Sequence, residues 1–239
     1  EVQSDAPAWY NPNRILSVSE FATWSDVVAW AQPLYDQAAV VDPSVQQLAD
    51  QLAAGKDQAG KIVAALHFVQ QEIRYLGMED GIGSHRPRHA ADTLYRRYGD
   101  CKDKTALLMA LLKAMGLSPT AALVSLVQGE ALPNQQPSPY LFDHVIVTLQ
   151  LDGKRVWLDG TELNQGDNLQ TIAVPYLRYA LLLEPGSGSL TPMDGEYRAS
   201  EVTVRHEIWV QSDQNRLAVE TQYQGQMAEQ QRGQWLMAT

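Results

Sequence analysis

The chain has 239 residues, 45% hydrophobic and 19% charged. That is enough to bury one substantial core and leave room for a second small unit. A formal net charge of −10 argues against nucleic acid or an anionic membrane as the main partner. A single cysteine rules out an internal disulfide framework, and no apolar run is long enough to span a bilayer. The chain opens at Glu1 rather than Met, as a processed or trimmed chain does, so a missing leader is weak ground for assigning a compartment.

Residues 1–22 read as an irregular arm, with one candidate strand between Ile15 and Phe21. Trp24 to Ala39 reads as a helix opened near Thr23, with Asp26 in its first turn and Pro33 expected to kink it or end it early. Asp42-Pro43 is an N-cap followed by proline at the first helical position, and Gly55 closes that short helix. Ile62, Leu66, Val69, Ile73 and Leu76 recur at helical steps, which predicts a helix over Lys61 to Leu76. His67 lies among them and reads as a core or boundary histidine. Gly77 to Tyr98 reads as a polar loop. Its His85 and His89 are four apart, but Arg86-Pro87-Arg88 between them works against a helix and against a metal. The Gly81-x-Gly83 pair lacks the strand and third glycine of a dinucleotide fingerprint.

The stretch from Tyr98 to Gly116 stands apart. After Cys101 come Ala106, Leu107, Leu108, Met109, Ala110, Leu111, Leu112, Ala114 and Met115, apolar on nearly every side, as in a helix that runs through a core. Asp100 is the candidate N-cap, and Gly116 the candidate C-terminal glycine. Cys101 therefore falls in a first turn, where free N–H groups and the positive end of the helix dipole favour a thiolate. A lone cysteine is more often inert and buried. Here the polar Gly-Asp before it and Lys-Asp-Lys after it argue against a dry site.

Beyond this helix, Thr120 to Val127 reads as a strand and Gly129 to Pro139 as a Pro- and Gln-rich loop. Phe142 to Leu151 and Lys154 to Asp159 form a hairpin across Asp152-Gly153, the favoured two-residue turn. Tyr179 to Leu183 reads as a strand and Glu184 to Gly195 as a turn-rich linker. Glu201 to Val210 and Leu217 to Tyr223 make a second hairpin, and Met227 to Leu236 can begin a helix. No internal repeat is present. The domain limits that follow are an arm at 1–22, a catalytic domain at 23–190, and a β-hairpin segment at 191–239 that opens a second β unit.

A two-residue loop fixes register. Leu151 then faces Lys154, and stepping outward Ile146 faces Asp159. His144 shares a ribbon side with Ile146, so His144 and Asp159 become diagonal neighbours within side-chain reach. Alone, His144 reads as a surface strand residue and Asp159 as a turn former. Together with Cys101 they supply a nucleophile, a base and an orienting acid.

The stretch RRYGDCKDKTALLMALLKAMG resembles the active-site helix of the transglutaminase-like superfamily, and FDHVIVTLQLDGKRVWLDGTE resembles its His-strand and Asp-strand pair. The likeness runs over about Trp24 to Leu183. Its Gly-Asp-Cys-Lys-Asp-Lys core is similar to a bacterial subgroup in which this domain is flanked by β domains. Gly160 departs from that subgroup, which usually carries proline after the aspartate. The resemblance implies an α+β, papain-like fold with helices packed on an antiparallel sheet, followed here by the C-terminal β segment. It implies a Cys101–His144–Asp159 triad, with Tyr98 as an oxyanion or supporting group, and neither metal nor organic cofactor. It further implies acyl transfer from a protein or peptide amide through a thioester, with an amine or water as acceptor, in a periplasmic or exported bacterial protein. A cysteine peptidase or amidase, or an inactive peptide-binding or scaffold domain, are the alternatives on the same fold.

Overall fold

The fold is arranged around one buried helix, α5, Cys101–Ala114. The computed structural model describes residues 9–10, 16–77, 84–173, 177–193, 201–211 and 213–237. Every side chain from Cys101 to Leu112 is buried, including Lys102, Asp103 and Lys104. Burial of Leu107, Leu108, Leu111 and Leu112 contributes roughly 1.5–3 kcal/mol for each side chain. The Asp100 carboxylate caps the helix by accepting from the N–H groups of Lys102 and Asp103. Gly116 ends the segment in the left-handed region at φ 83°.

Three helices precede α5. They are α1 (Trp24–Ala38), α2 (Pro43–Ala53) and α3 (Gln58–Glu72). Thr23 and Asp26 form a reciprocal capping box on α1. Of the two outcomes expected at Pro33, a kink or an early end, the early end does not occur. Both Pro33 and Ala29, whose carbonyl loses its helical donor there, are exposed, so water can serve that oxygen. Asp42 caps α2 by accepting from Val45 N. Helix α3 starts earlier than predicted because Asp57 caps it through Gly60 N. It stops at Glu72, short of Leu76, because Arg74–Tyr75 leaves to form strand β1. Strand β1 pairs in parallel with β2, Tyr98–Gly99, immediately ahead of Cys101. The loop predicted over Gly77 to Tyr98 contains a further helix, α4, Ala90–Arg96, which packs on α5. Gly81 and Gly83 lie outside the described residues. Residues 16–22 form no strand.

Five strands follow: β3 (Thr120–Val124), β4 (His144–Leu151), β5 (Lys154–Leu158), β6 (Tyr179–Leu182) and β7 (Thr191–Pro192). They form one sheet in the order β5-β4-β3-β6-β7, antiparallel throughout. Strand β3 ends three residues sooner than predicted, where Ser125 Oγ accepts from Val127 N and Gln128 N and turns the chain. Strand β7 falls inside what reads as a linker. Helix α5 packs on β3 and β4, so helices cover one face of an antiparallel sheet, the α+β arrangement.

The chain divides into two compact units, residues 1–162 with 176–195, and residues 163–175 with 196–239. The second contains the hairpin β8 (Val202–Val210) and β9 (Asn215–Tyr223) and the helix α6 (Gly225–Met237). Within that unit Glu229 of α6 accepts from Ala173 N and Gln165 Nε2, and Arg232 Nε donates to Asn164 O. Among the described residues no helix is long and apolar enough to cross a membrane.

Candidate active site

Cys101 is the first residue of α5 and is 5% exposed. Its neighbours are held by ion pairs and hydrogen bonds. Lys102 Nζ pairs with Asp100 Oδ2, both side chains buried. Asp103 accepts from Arg88 N at 2.8 Å and from Arg88 Nη1 at 2.7 Å. Gly99 has to be glycine here, because a Cβ would lie 2.5 Å from the Asp103 Cβ. The chain enters the helix through a gap that admits no side chain, and this fixes the sulfur on the first turn.

His144 opens β4 and Asp159 directly follows β5. The hairpin has the expected register, from Leu151 opposite Lys154 to Val147 opposite Leu158. Asp152 and Gly153 carry it at φ 51° and 75°, both in the left-handed region of the favoured turn. His144 Nε2 lies 2.7 Å from Asp159 Oδ2, and both side chains are under one-tenth exposed. The other carboxylate oxygen, Oδ1, accepts from Thr161 N and Thr161 Oγ1 at 2.8 and 2.7 Å. Gln70 Nε2 holds the Asp159 backbone carbonyl at 2.8 Å. The aspartate thus has both oxygens committed, one of them to the imidazole.

Helix and hairpin are tied together by Thr105 of α5, whose Oγ1 donates to Val145 O at 3.1 Å. This bond lies one helical turn from Cys101 and one residue from His144. The His144 side chain also interacts electrostatically with Cys101. With Nε2 taken by Asp159, Nδ1 is the ring nitrogen left for the sulfur.

The electrostatics follow from this arrangement. Burial pulls the His144 pKa down, but the hydrogen bond to Asp159 and the electrostatic interactions with Asp159 and Cys101 outweigh it, so the value rises from 6.5 to about 10. Burial pushes Asp159 up, but the bonds from His144 and Thr161 win and hold its carboxyl below the usual carboxylate range. Behind this pair sits Lys104, buried, with Nζ donating to Ile73 O at 2.7 Å. Burial lowers its pKa to about 8 against the opposing attraction of Asp159. A Cβ at Gly160 would stand 3.2 Å from Val69 Cγ1, so the turn after Asp159 presses closely on α3.

The other predicted residues lie apart from this set. Tyr98 is half-buried in β2, and among the described residues its hydroxyl makes no hydrogen bond to Cys101, His144 or Asp159. His85 stacks edge-on with Trp30 and with Tyr140, each at 5.1 Å, while His89 Nδ1 lies 3.1 Å from Gln37 O. No cluster of His, Cys, Asp or Glu that could hold a metal occurs among the described residues. Residue reading missed Thr161, Gln70 and Thr105 as supports. The Asp159-Gly160-Thr161 turn signal carried part of that information, since a turn-forming aspartate accepts from the backbone two residues on.

Residues 46–147 match the family model of the transglutaminase-like superfamily, a span that includes Cys101 and His144 and stops before Asp159. A solved structure of a candidate protease from Parabacteroides distasonis is similar in fold, with a TM-score of 0.55 at 16% identity, over 79% of this chain and 35% of that one. A candidate cysteine protease from Cytophaga hutchinsonii also matches, with a TM-score of 0.38 at 16% identity, over 79% of this chain and 55% of that one. The chain thus spans about a third of the first structure's length and about half of the second's. No curated protein matches the sequence.

Proposed function

We propose that the chain, whose residues 46–147 match the model of the transglutaminase-like superfamily, is a cysteine-dependent acyl-transfer enzyme. Cys101 acts as nucleophile, His144 as proton carrier and Asp159 as the group that orients the ring. One observation carries the reading: His144 hydrogen-bonds Asp159 through Nε2 and interacts electrostatically with Cys101, at the N-terminus of a buried helix. The high His144 pKa favours an imidazolium beside the sulfur, ready to give its proton to the leaving amine.

The substrate is an amide of a protein or peptide, either a Gln side chain or a peptide-like bond. The sulfur lone pair forms a C–S bond to the carbonyl carbon while the carbonyl π pair moves to oxygen. The oxyanion accepts from the Cys101 N–H, and Tyr98 is retained as a supporting group in this reading. Collapse restores the carbonyl and expels the amine, which takes the proton from His144. The thioester then passes its acyl group to an amine acceptor or to water, with His144 now removing the acceptor's proton. Transfer to an amine is transglutamination, and transfer to water makes the same centre an amidase or peptidase. No metal or organic cofactor enters either route.

The test is incubation with a Gln-peptide library and an isotopically labelled primary amine, read by mass spectrometry. Amine-coupled or deamidated peptides that vanish in Cys101→Ala are expected. A reaction that persists in Cys101→Ala, or no turnover of any peptide by the wild type, would sink the proposal.

A further inference from the structure

Tyr35 lies on the buried stripe of α1 with Val27, Val28, Ala31 and Ala38, and α1 packs on α5. Its side chain is 3% exposed, yet among the described residues its hydroxyl has no hydrogen-bond partner. Burying a hydroxyl without a partner costs about 1–3 kcal/mol, and phenylalanine would fill the same space without that cost. The phenol's electrostatic neighbours are Cys101 first, then Asp100 and Asp103. The unpartnered hydroxyl therefore lies within electrostatic reach of the first turn of α5.

The polar groups of that turn are otherwise committed. Asp100 accepts from Lys102 N, Asp103 N and Lys102 Nζ, and its carbonyl takes Lys104 N. Asp103 accepts from Arg88 through both carboxylate oxygens. Among the described residues the Cys101 N–H, orphaned at the helix start, and the Tyr35 hydroxyl are both unspent donors.

We infer that the Tyr35 hydroxyl is a catalytic hydrogen-bond donor, pairing with the Cys101 N–H to hold the oxygen of the tetrahedral intermediate formed on Cys101. The inference rests on the acyl-transfer reading and adds a residue to it. As the sulfur bonds to the carbonyl carbon, the carbonyl π pair collects on oxygen and that oxygen accepts both hydrogen bonds. When the C–N bond breaks, the pair returns and the amine leaves with the proton from His144. Burial is the first of the effects that raise the Tyr35 pKa well above 10, with Cys101, Asp100 and Asp103 adding to it, so the phenol keeps its proton to donate. The buried hydroxyl is already fixed in place, so it does not have to be reoriented during the reaction.

Two probes of Cys101 separate this role from packing. Iodoacetamide alkylates sulfur by displacement and forms no oxyanion, whereas N-acetyl-glycinal adds sulfur to a carbonyl and does. The aldehyde's dissociation constant is read from its protection of Cys101 against iodoacetamide. Tyr35→Phe removes one oxygen from a buried ring. In that variant alkylation should stay within about twofold of wild type while aldehyde affinity falls at least about tenfold, a conservative figure beside the loss seen on deleting one oxyanion donor. Tyr95→Phe, at an exposed ring on α4, should retain wild-type aldehyde affinity. Equal affinity in Tyr35→Phe and wild type overturns the inference, as does an equal loss in Tyr95→Phe. A parallel fall in alkylation and aldehyde binding with a lowered Tm also overturns it, since that assigns Tyr35 to packing. If the wild type is neither alkylated at Cys101 nor bound by the aldehyde, the acyl-transfer reading itself fails and takes this inference with it.

Discussion

Replacing Asp159 by Asn tests the electrostatic link between hairpin and helix. In the wild type Asp159 gives one oxygen to His144 Nε2 and the other to the two donors of Thr161. An amide has one oxygen. With that oxygen on Thr161, its NH2 faces Nε2 and forces the imidazole proton to Nδ1, the nitrogen that should receive the thiol proton. His144 also loses a full negative charge. The span from 6.5 to about 10 in its pKa is worth roughly 5 kcal/mol at about 1.4 kcal/mol per pH unit. Burial opposes that shift and Asp159 is the first of the groups that raise it, so in the variant the burial penalty stays while the leading support is lost. The His144 midpoint, followed by NMR of its ring protons, should fall clearly below about 10. Turnover should fall by about 10³–10⁴-fold, while the buried leucines of α5 keep the fold. The sign of the stability change follows. His144 binds its proton more tightly when folded, so the pair's stabilisation is complete below about pH 6.5 and is lost as pH rises through about 10. Urea melts should show that alkaline loss in the wild type and a smaller one in Asp159→Asn. A midpoint still near 10 in the variant would refute the assignment of Asp159 as the source of the shift.

Lys104 has the opposite slope. Its pKa is held near 8 by burial, so its charge costs stability fully below about pH 8 and the cost fades as pH rises toward 10.5. Lys104→Met should abolish that alkaline gain in urea melts while losing about 1–3 kcal/mol by orphaning the Ile73 carbonyl; an unchanged gain would show that Lys104 is not its source. Gly99→Ala puts a Cβ 2.5 Å from that of Asp103, so the first turn of α5 must shift. We expect a loss of about 1–3 kcal/mol by calorimetry and slower alkylation of Cys101, and a variant with wild-type Tm and alkylation would contradict the close approach. We also propose that residues 196–239 belong to a unit separable from the catalytic one. Deleting 196–239, which also strips Ala173 and Gln165 of their Glu229 partner, should leave the alkylation rate of Cys101 within about twofold; loss of the fold would place those strands in the main core.

What could be read from the residues depended on how local the information was. The β4–β5 register was legible because a two-residue Asp152-Gly153 turn leaves one pairing, and that pairing brings His144 beside Asp159. Helix α5 was legible from its unbroken apolar run and its cap. Helix α4 was not, because seven residues with only Ala90 and Thr93 buried give too short a pattern to separate from loop. Strand β7 has two residues and exists through pairing with Tyr179 and Ala180, a contact across the linker that no local signal announces. Lys102, Asp103 and Lys104 read as a polar surround, yet all three are buried and paired, because their partners Asp100, Arg88 and Ile73 come from other segments or from the cap. Tyr35 read as one member of an apolar stripe. Its ring does pack there, and nothing in the spacing reports that among the described residues the hydroxyl lacks a partner and lies within electrostatic reach of Cys101.

The account stands on Cys101 being an activated nucleophile made so by His144, and one substrate-free measurement tests this directly. It is the second-order rate of iodoacetamide alkylation at Cys101 near pH 6, in the wild type and in His144→Ala, with N-acetylcysteine as the reference thiol. The helix N-terminus and the interaction of His144 with Cys101 predict that the wild type reacts at least about tenfold faster than both. Equal rates in the wild type, His144→Ala and the free thiol would contradict it.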